Sequence, residues 1–144
     1  MSLTIVVYGL PAPQGSKSFK GMAGGHAILA ESCKAVNPWR QDVKAAAIAE
    51  MGGAGKGLAG PVSIRMVFTM PKPKSAPKRR KTWPDRKPDI DKLCRSTLDA
   101  LVQAGSIEDD ARVVHMHAYK VFPSEGYDSL AVPGAYIEIE EVCE

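Results

Sequence analysis

No apolar run in this 144-residue chain approaches the roughly 18–20 residues that a helical membrane span requires. Met1 to Leu10 carries neither a charged leader nor a long apolar core, so no export signal is expected. Cysteine is scarce: Cys33, Cys94 and Cys143 are the three present, and none has CxxC or other zinc spacing. An odd, unpatterned set points to free thiols in a reducing cytosol and away from a disulfide scaffold or zinc site. Internal repeats and interdomain linkers are missing. So is a Walker phosphate loop, although Gln14-Gly15-Ser16-Lys17 offers polar groups to a phosphate without that spacing. These absences lead to the expectation of a cytoplasmic, membrane-free protein folded as one domain over residues 1–144. A hydrophobic fraction of 44% is ordinary for such a domain, and the chain is long enough to build a core without staples.

What the chain does have is charge gathered in one place. Its net charge is only +3, but the segment 71–88 holds Lys72, Lys74, Lys78, Arg79, Arg80, Lys81, Arg86 and Lys87 against Asp85 alone. The remainder is therefore mildly acidic. Such a run is either a solvated loop or a phosphate-binding arm. Trp83 lies inside it, placed either to stack on a base exposed at a branch point or to pack the arm onto the body.

Periodicity supplies the elements. Leu3 to Tyr8 reads as a strand, Gly9 to Gly25 has too much Gly, Pro and Ser for a regular element, and His26 to Ala30 reads as a short strand. Asn37 as N-cap and Pro38 at the first helical position open a helix over Trp39 to Met51, closed by Gly52-Gly53. Val62 to Met70 alternates as a strand except at Val67. Ile90, Leu93, Cys94, Thr97, Leu98, Leu101 and Val102 form one helical apolar stripe that Gly105 ends, with Cys94 as a core thiol. Arg112 to Phe122 and Ala135 to Val142 read as strands, joined by a turn-rich connection over Pro123 to Gly134. The fold class expected is α+β, a small mixed or antiparallel sheet with two main helices.

Two acidic pairs flank the second helix: Asp89 with Asp91 at its start, and Asp109 with Asp110 after its end. Hydrolysis of a phosphodiester adds negative charge to an anion. Mg²⁺ relieves that charge and activates water, and it favours oxygen ligands. Acids that hold a metal beside bases that hold a polyanion read as a metal-dependent nuclease. The structural alternative is that Asp89 or Asp91 caps the helix and Asp109-Asp110 forms a turn. The pairs meet only if the following strand returns along the N-terminal end of the helix. Arg95 lies four residues after Asp91 and four before Asp99, so it is either part of a surface ion-pair ladder or a contact to the scissile phosphate. His115 and His117 share a strand face, but with no third ligand evident they read as non-ligands.

KPDIDKLCRSTLDAL followed by EDDARVV resembles the core of the RusA-type Holliday-junction resolvases. The resemblance runs from about Pro88 to Lys120, and the opening YGLPAPQGSK is similar to longer members. It implies a RusA-like fold and a dimeric, Mg²⁺-dependent endonuclease (Mn²⁺ as substitute) that cuts four-way DNA junctions in recombination and repair, of phage or prophage type. It places metal ligands at Asp89, Asp91 and Asp110, with Asp109 the weaker candidate of its pair. The family's motif asparagine is Lys92 here and its motif lysine is Arg95. Arginine keeps the charge but stays protonated, which suits phosphate binding and not proton transfer. Two further readings stay open: a nuclease for flaps, forks or other branched DNA, and a non-catalytic DNA-binding protein.

Overall fold

The computed structural model describes residues 2–15, 18–23, 26–30, 34–52, 57–126 and 128–143. Strand β1 (Ser2–Tyr8) is followed by β2 (Ser18–Ala23) and β3 (His26–Ala30), then helix α1 (Val36–Glu50) and β4 (Val62–Thr69). Helix α2 (Ile90–Ala104), a single 3-10 turn (Asp110–Arg112), β5 (Val113–Val121) and β6 (Gly134–Glu141) complete the order. The main sheet runs β1-β6-β4-β5, and β2 and β3 form a separate antiparallel ribbon. β6 is antiparallel to both β1 and β4, whereas β4 and β5 are parallel. This is the expected α+β arrangement, with a mixed sheet and two main helices. No helix among the described residues is long and apolar enough to cross a membrane.

Alternation decides which sheet face is apolar. Ile5 and Val7, Ile64, Met66 and Phe68, and Ile137 and Ile139 point to one side and join one buried cluster. Both helices pack there. α1 contributes Val36, Trp39, Val43 and Ala47, spaced as one helical stripe. α2 contributes Leu93, Cys94, Thr97, Ala100 and Leu101. The two helices are tied by a buried bond in which Trp39 Nε1 donates to Thr97 Oγ1 at 3.2 Å. Gly105 ends α2 at φ +82°, a conformation that costs glycine little.

Three local expectations are corrected. α1 begins before Asn37, with Ala35 at the N-cap and no side-chain capping bond, so Pro38 lies within the first turn, where no N–H is required. Gly53, assigned to the helix stop, lies outside the described residues; Gly52 itself adopts φ +77°. The Gly-rich stretch before β3 contains a strand, β2, because backbone pairing with β3 overrides its composition. On α2, Ile90 is exposed while Ser96 is buried, because Ser96 Oγ donates to Ala12 O at 2.7 Å and the N-terminal loop covers that side. Val67 is buried although it breaks the alternation. On the second face of β4, Leu130 N donates to Thr69 Oγ1 at 2.9 Å and Arg65 donates to Asp128 at 2.6 Å.

Replacing Thr97 by Val keeps the side-chain shape and leaves the Trp39 N–H buried without an acceptor. The expected loss is about 1–3 kcal/mol in urea denaturation, despite the added methyl. An unchanged midpoint would show that the helix–helix bond contributes nothing.

Candidate active site

The parallel β4–α2–β5 crossover fixes where the acids go. A helix linking two parallel strands runs back against them, so the start of α2 lies at the C-terminal ends of β4 and β5. Ligands commonly bind outside the carboxyl ends of such strands. Asp89 holds the N-cap position of α2 in extended conformation, yet its carboxylate makes no capping bond. Instead it lies 3.5 Å from Lys87 Nζ and 3.4 Å from Lys92 Nζ. Lys87 first, and Lys92 with it, hold Asp89 below the usual carboxylate range, so it stays ionised. Asp91, in the first turn, is exposed, and with Asp89 it lines a hollow beside Trp83, Tyr119 and Lys120.

The same topology carries the second acidic pair away from the first. The turn before β5 must lie at the N-terminal end of that strand, beside the second half of α2. Asp109 behaves as the structural alternative has it: its Oδ2 accepts from Ala111 N at 3.1 Å and caps the 3-10 turn. Asp110 is different. Burial, then the negative charges of Asp99 and Asp109, push its carboxyl above the usual range. Asp99 is thus the acid that Asp110 faces, and it lies two turns, about 12 Å of helix rise, beyond Asp91. Asp99 Oδ2 also accepts from Gln14 Nε2 at 2.6 Å. Gln14 is held in place by its own N–H, which donates to Lys92 O at 3.0 Å.

Within one chain the acids therefore form two groups, Asp89 with Asp91 and Asp99 with Asp110. Among the described residues, no three His, Cys, Asp or Glu side chains are placed to enclose a metal. Mg²⁺ asks for less, since it keeps several waters and binds through one or two carboxylates. The donor type and the crowding of negative charge around Asp110 fit a hydrated Mg²⁺; an all-protein cage does not fit.

A groove of about 1550 Å³ runs from the loop at Leu10 to Gly15, past the basic segment, to Asp89 and Lys92. Its basic wall is anchored at both ends. Glu125 accepts from Lys72 Nζ at 2.5 Å and from Thr82 N at 3.1 Å. Lys120 Nζ donates to Arg86 O and Pro88 O, each at 2.8 Å. Lys72 is accordingly a strut and not a free cation. Lys74, Lys78, Arg79, Arg80, Lys81, Arg86 and Lys87 are exposed. Trp83 is 57% exposed and does not pack the loop onto the body; Lys81 Nζ lies 4.2 Å from its ring centre. Arg95 is exposed. The ladder with Asp91 and Asp99 does not form, and Gln14 takes Asp99 instead.

Sequence reasoning missed Asp99 as the partner of Asp110, and it missed Glu125 and Lys120; Gln14 and Lys92 were noticed, but not as the groups that hold Asp99 and Asp89. Of the three missed, Asp99 alone left a signal, its place in the Asp91–Arg95–Asp99 row. Cys94 is a core thiol as expected, pushed up to about 11 by burial and then by Asp91. Cys143 is a free, exposed thiol. Ser16, Lys17 and Cys33 lie outside the described residues.

A family model described as Endodeoxyribonuclease RusA matches residues 9–140. No curated protein matches the chain.

Two expectations follow from the site. Glu125→Gln removes the charge that holds Lys72, so trypsin should cut at Lys78 to Lys81 several-fold faster than in the parent protein at equal folded fraction. Equal rates would mean that the loop is held elsewhere. Asp110→Asn should be at least as stable as the parent at neutral pH. The raised folded value makes ionised Asp110 a cost above its folded pKa, and that cost vanishes below the unfolded pKa. Thermal melts across pH should show the difference closing in acid, and a less stable variant at neutral pH would contradict the assignment.

Proposed function

The chain belongs to the RusA family of endodeoxyribonucleases, enzymes that resolve Holliday junctions, and on that premise we propose a Mg²⁺-dependent resolvase whose DNA strand lies in the basic groove. The observation that carries this reading is the groove itself, with a cationic wall that ends at an uncapped, ionised Asp89. Exposed lysines and arginines bind backbone phosphates and release counterions. The open face of Trp83 offers a stacking platform for an unpaired base at the branch point. Asp89 and Asp91 hold a hydrated metal at the end of the groove, and Asp110, with Asp99 beside it, offers a second carboxylate position further along α2, so that one ion does not touch all three acids within one chain. When bound, Mg²⁺ supplies charge stabilisation and an activated water. Arg95, charged and without an ion-pair partner among the described residues, neutralises the phosphate being cut. Its permanent protonation assigns it to binding and electrostatics. A four-way junction presents two equivalent strands, which suits a homodimer with two sites. DNA as substrate places the enzyme in the cytoplasm, and 1–144 acts as one domain.

Cleavage of four-way junction, fork, flap and duplex, with and without Mg²⁺, tests this reading. Junctions should be cut best, and only with the metal. Asp89→Asn, Asp91→Asn and Asp110→Asn should each lose cleavage and retain the fold. Under single-turnover conditions on a saturated junction complex, Arg95→Ala should slow cutting by about 10²-fold or more, as loss of an electrostatic donor does. Arg95→Lys should retain most of the rate. Full activity in an aspartate variant removes that residue from the site, and preference for flaps or forks reassigns the substrate.

A further inference from the structure

The sheet face opposite the helices carries a grouping that the nuclease reading leaves unused. His115 and His117 are two apart on β5, so both rings stand on that outer face, and both are exposed. Their Nε2 atoms lie 3.1 Å apart. The ring centroids are 4.7 Å apart with planes at 86°. Ser63 pairs in register with His115 and puts its Oγ 3.3 Å from His115 Nδ1. A hydroxyl at Nδ1 can take that ring's proton in a hydrogen bond and leave the Nε2 lone pair free, the arrangement that orients histidine ligands in metal sites.

The two nitrogens are within hydrogen-bond range of each other, so without an ion one ring donates to the other, and the same spacing suits a chelate. Two imidazoles bound to one ion at about 2.05 Å, with nitrogens this far apart, subtend about 98° and have centroids about 4.8 Å apart. A linear N–H···N bond of the same length would set the centroids about 5.4 Å apart. The observed 4.7 Å is a bent contact, close to the spacing a chelate needs. The surrounding charge also favours a cation. Ladder register places Glu138 and Glu140 of β6 on this face, beside Arg65 and Ser63 of β4. Arg65 is itself neutralised by Asp128 at 2.6 Å and Glu138 at 3.0 Å.

We propose that His115 and His117 form a chelating site for a borderline divalent transition-metal ion such as Ni²⁺ or Zn²⁺, with water in the remaining positions. Imidazole nitrogens select such ions over Mg²⁺, so this site is chemically distinct from the carboxylates along α2.

The test is calorimetric titration of Ni²⁺ into the full-length, chelator-stripped protein in excess Mg²⁺. Ni²⁺ is the probe because thiolates compete more strongly for Zn²⁺. One saturable ion per chain is expected. His115→Ala and His117→Ala should each weaken it by on the order of tenfold or more, as loss of one of two ligands requires. Ser63→Ala should weaken it less, through ring orientation. Asp110→Asn and His26→Ala should leave it unchanged. Both rings are exposed, so the histidine variants should melt with the parent protein. Cu²⁺ bound in place of Ni²⁺ should show electron-paramagnetic splitting from two nitrogens. No saturable Ni²⁺ binding, or affinity unchanged in both histidine variants, overturns the proposal.

Discussion

The placement of α2 against the sheet governs everything else in this molecule. Leu93, Thr97 and Leu101 bury one stripe of the helix, and the Trp39–Thr97 bond joins it to α1. Because α2 connects two parallel neighbours, its direction is set by topology. Its start must then face the carboxyl ends of β4 and β5. The basic loop that enters α2 becomes one wall of a groove, and the N-terminal loop, docked through Ala12 and Gln14, becomes the other. A change that rotated α2 would move Asp89, Asp91, Arg95 and Asp99 together.

The same constraint explains why the two acidic pairs do not converge within a chain. One pair begins the helix and the other follows it, and a parallel crossover sends those points to opposite ends of the strands. Asp110 meets Asp99 instead, and its proton affinity is raised first by desolvation and then by the charges of Asp99 and Asp109. Carboxylates this close repel one another, and a cation relieves the repulsion. That repulsion is what a hydrated divalent ion would offset.

Much of this was legible in the sequence where the signal is local. The stripe on α2, the Gly105 stop and the alternation in β4 each depend on residues within a few positions, and each element appears where expected. The errors have non-local causes. β2 exists because β3 pairs with it, Thr69 is held by Leu130 from a distant connection, and Ser96 is buried because Ala12 accepts its hydroxyl. The candidate site divides the same way. The basic run and the aspartates could be read directly. Whether Asp89 capped its helix could not, since capping depends on a rotamer, and the answer differs for Asp109. Glu125 and Lys120, which turn the basic run into a fixed wall, act across 53 and 34 positions, beyond any sequence window.

The central claim is that one DNA strand passes between the basic loop and the start of α2. The most direct measurement is a crystal structure of the protein with a four-way junction and Ca²⁺, a divalent ion that occupies oxygen sites with slack geometry. The expected result is a phosphate backbone running along Lys78 to Lys87, with a phosphate and a cation at Asp89 and Asp91. A backbone lying across the outer face of the sheet, with the groove beside α2 empty of DNA, would contradict it.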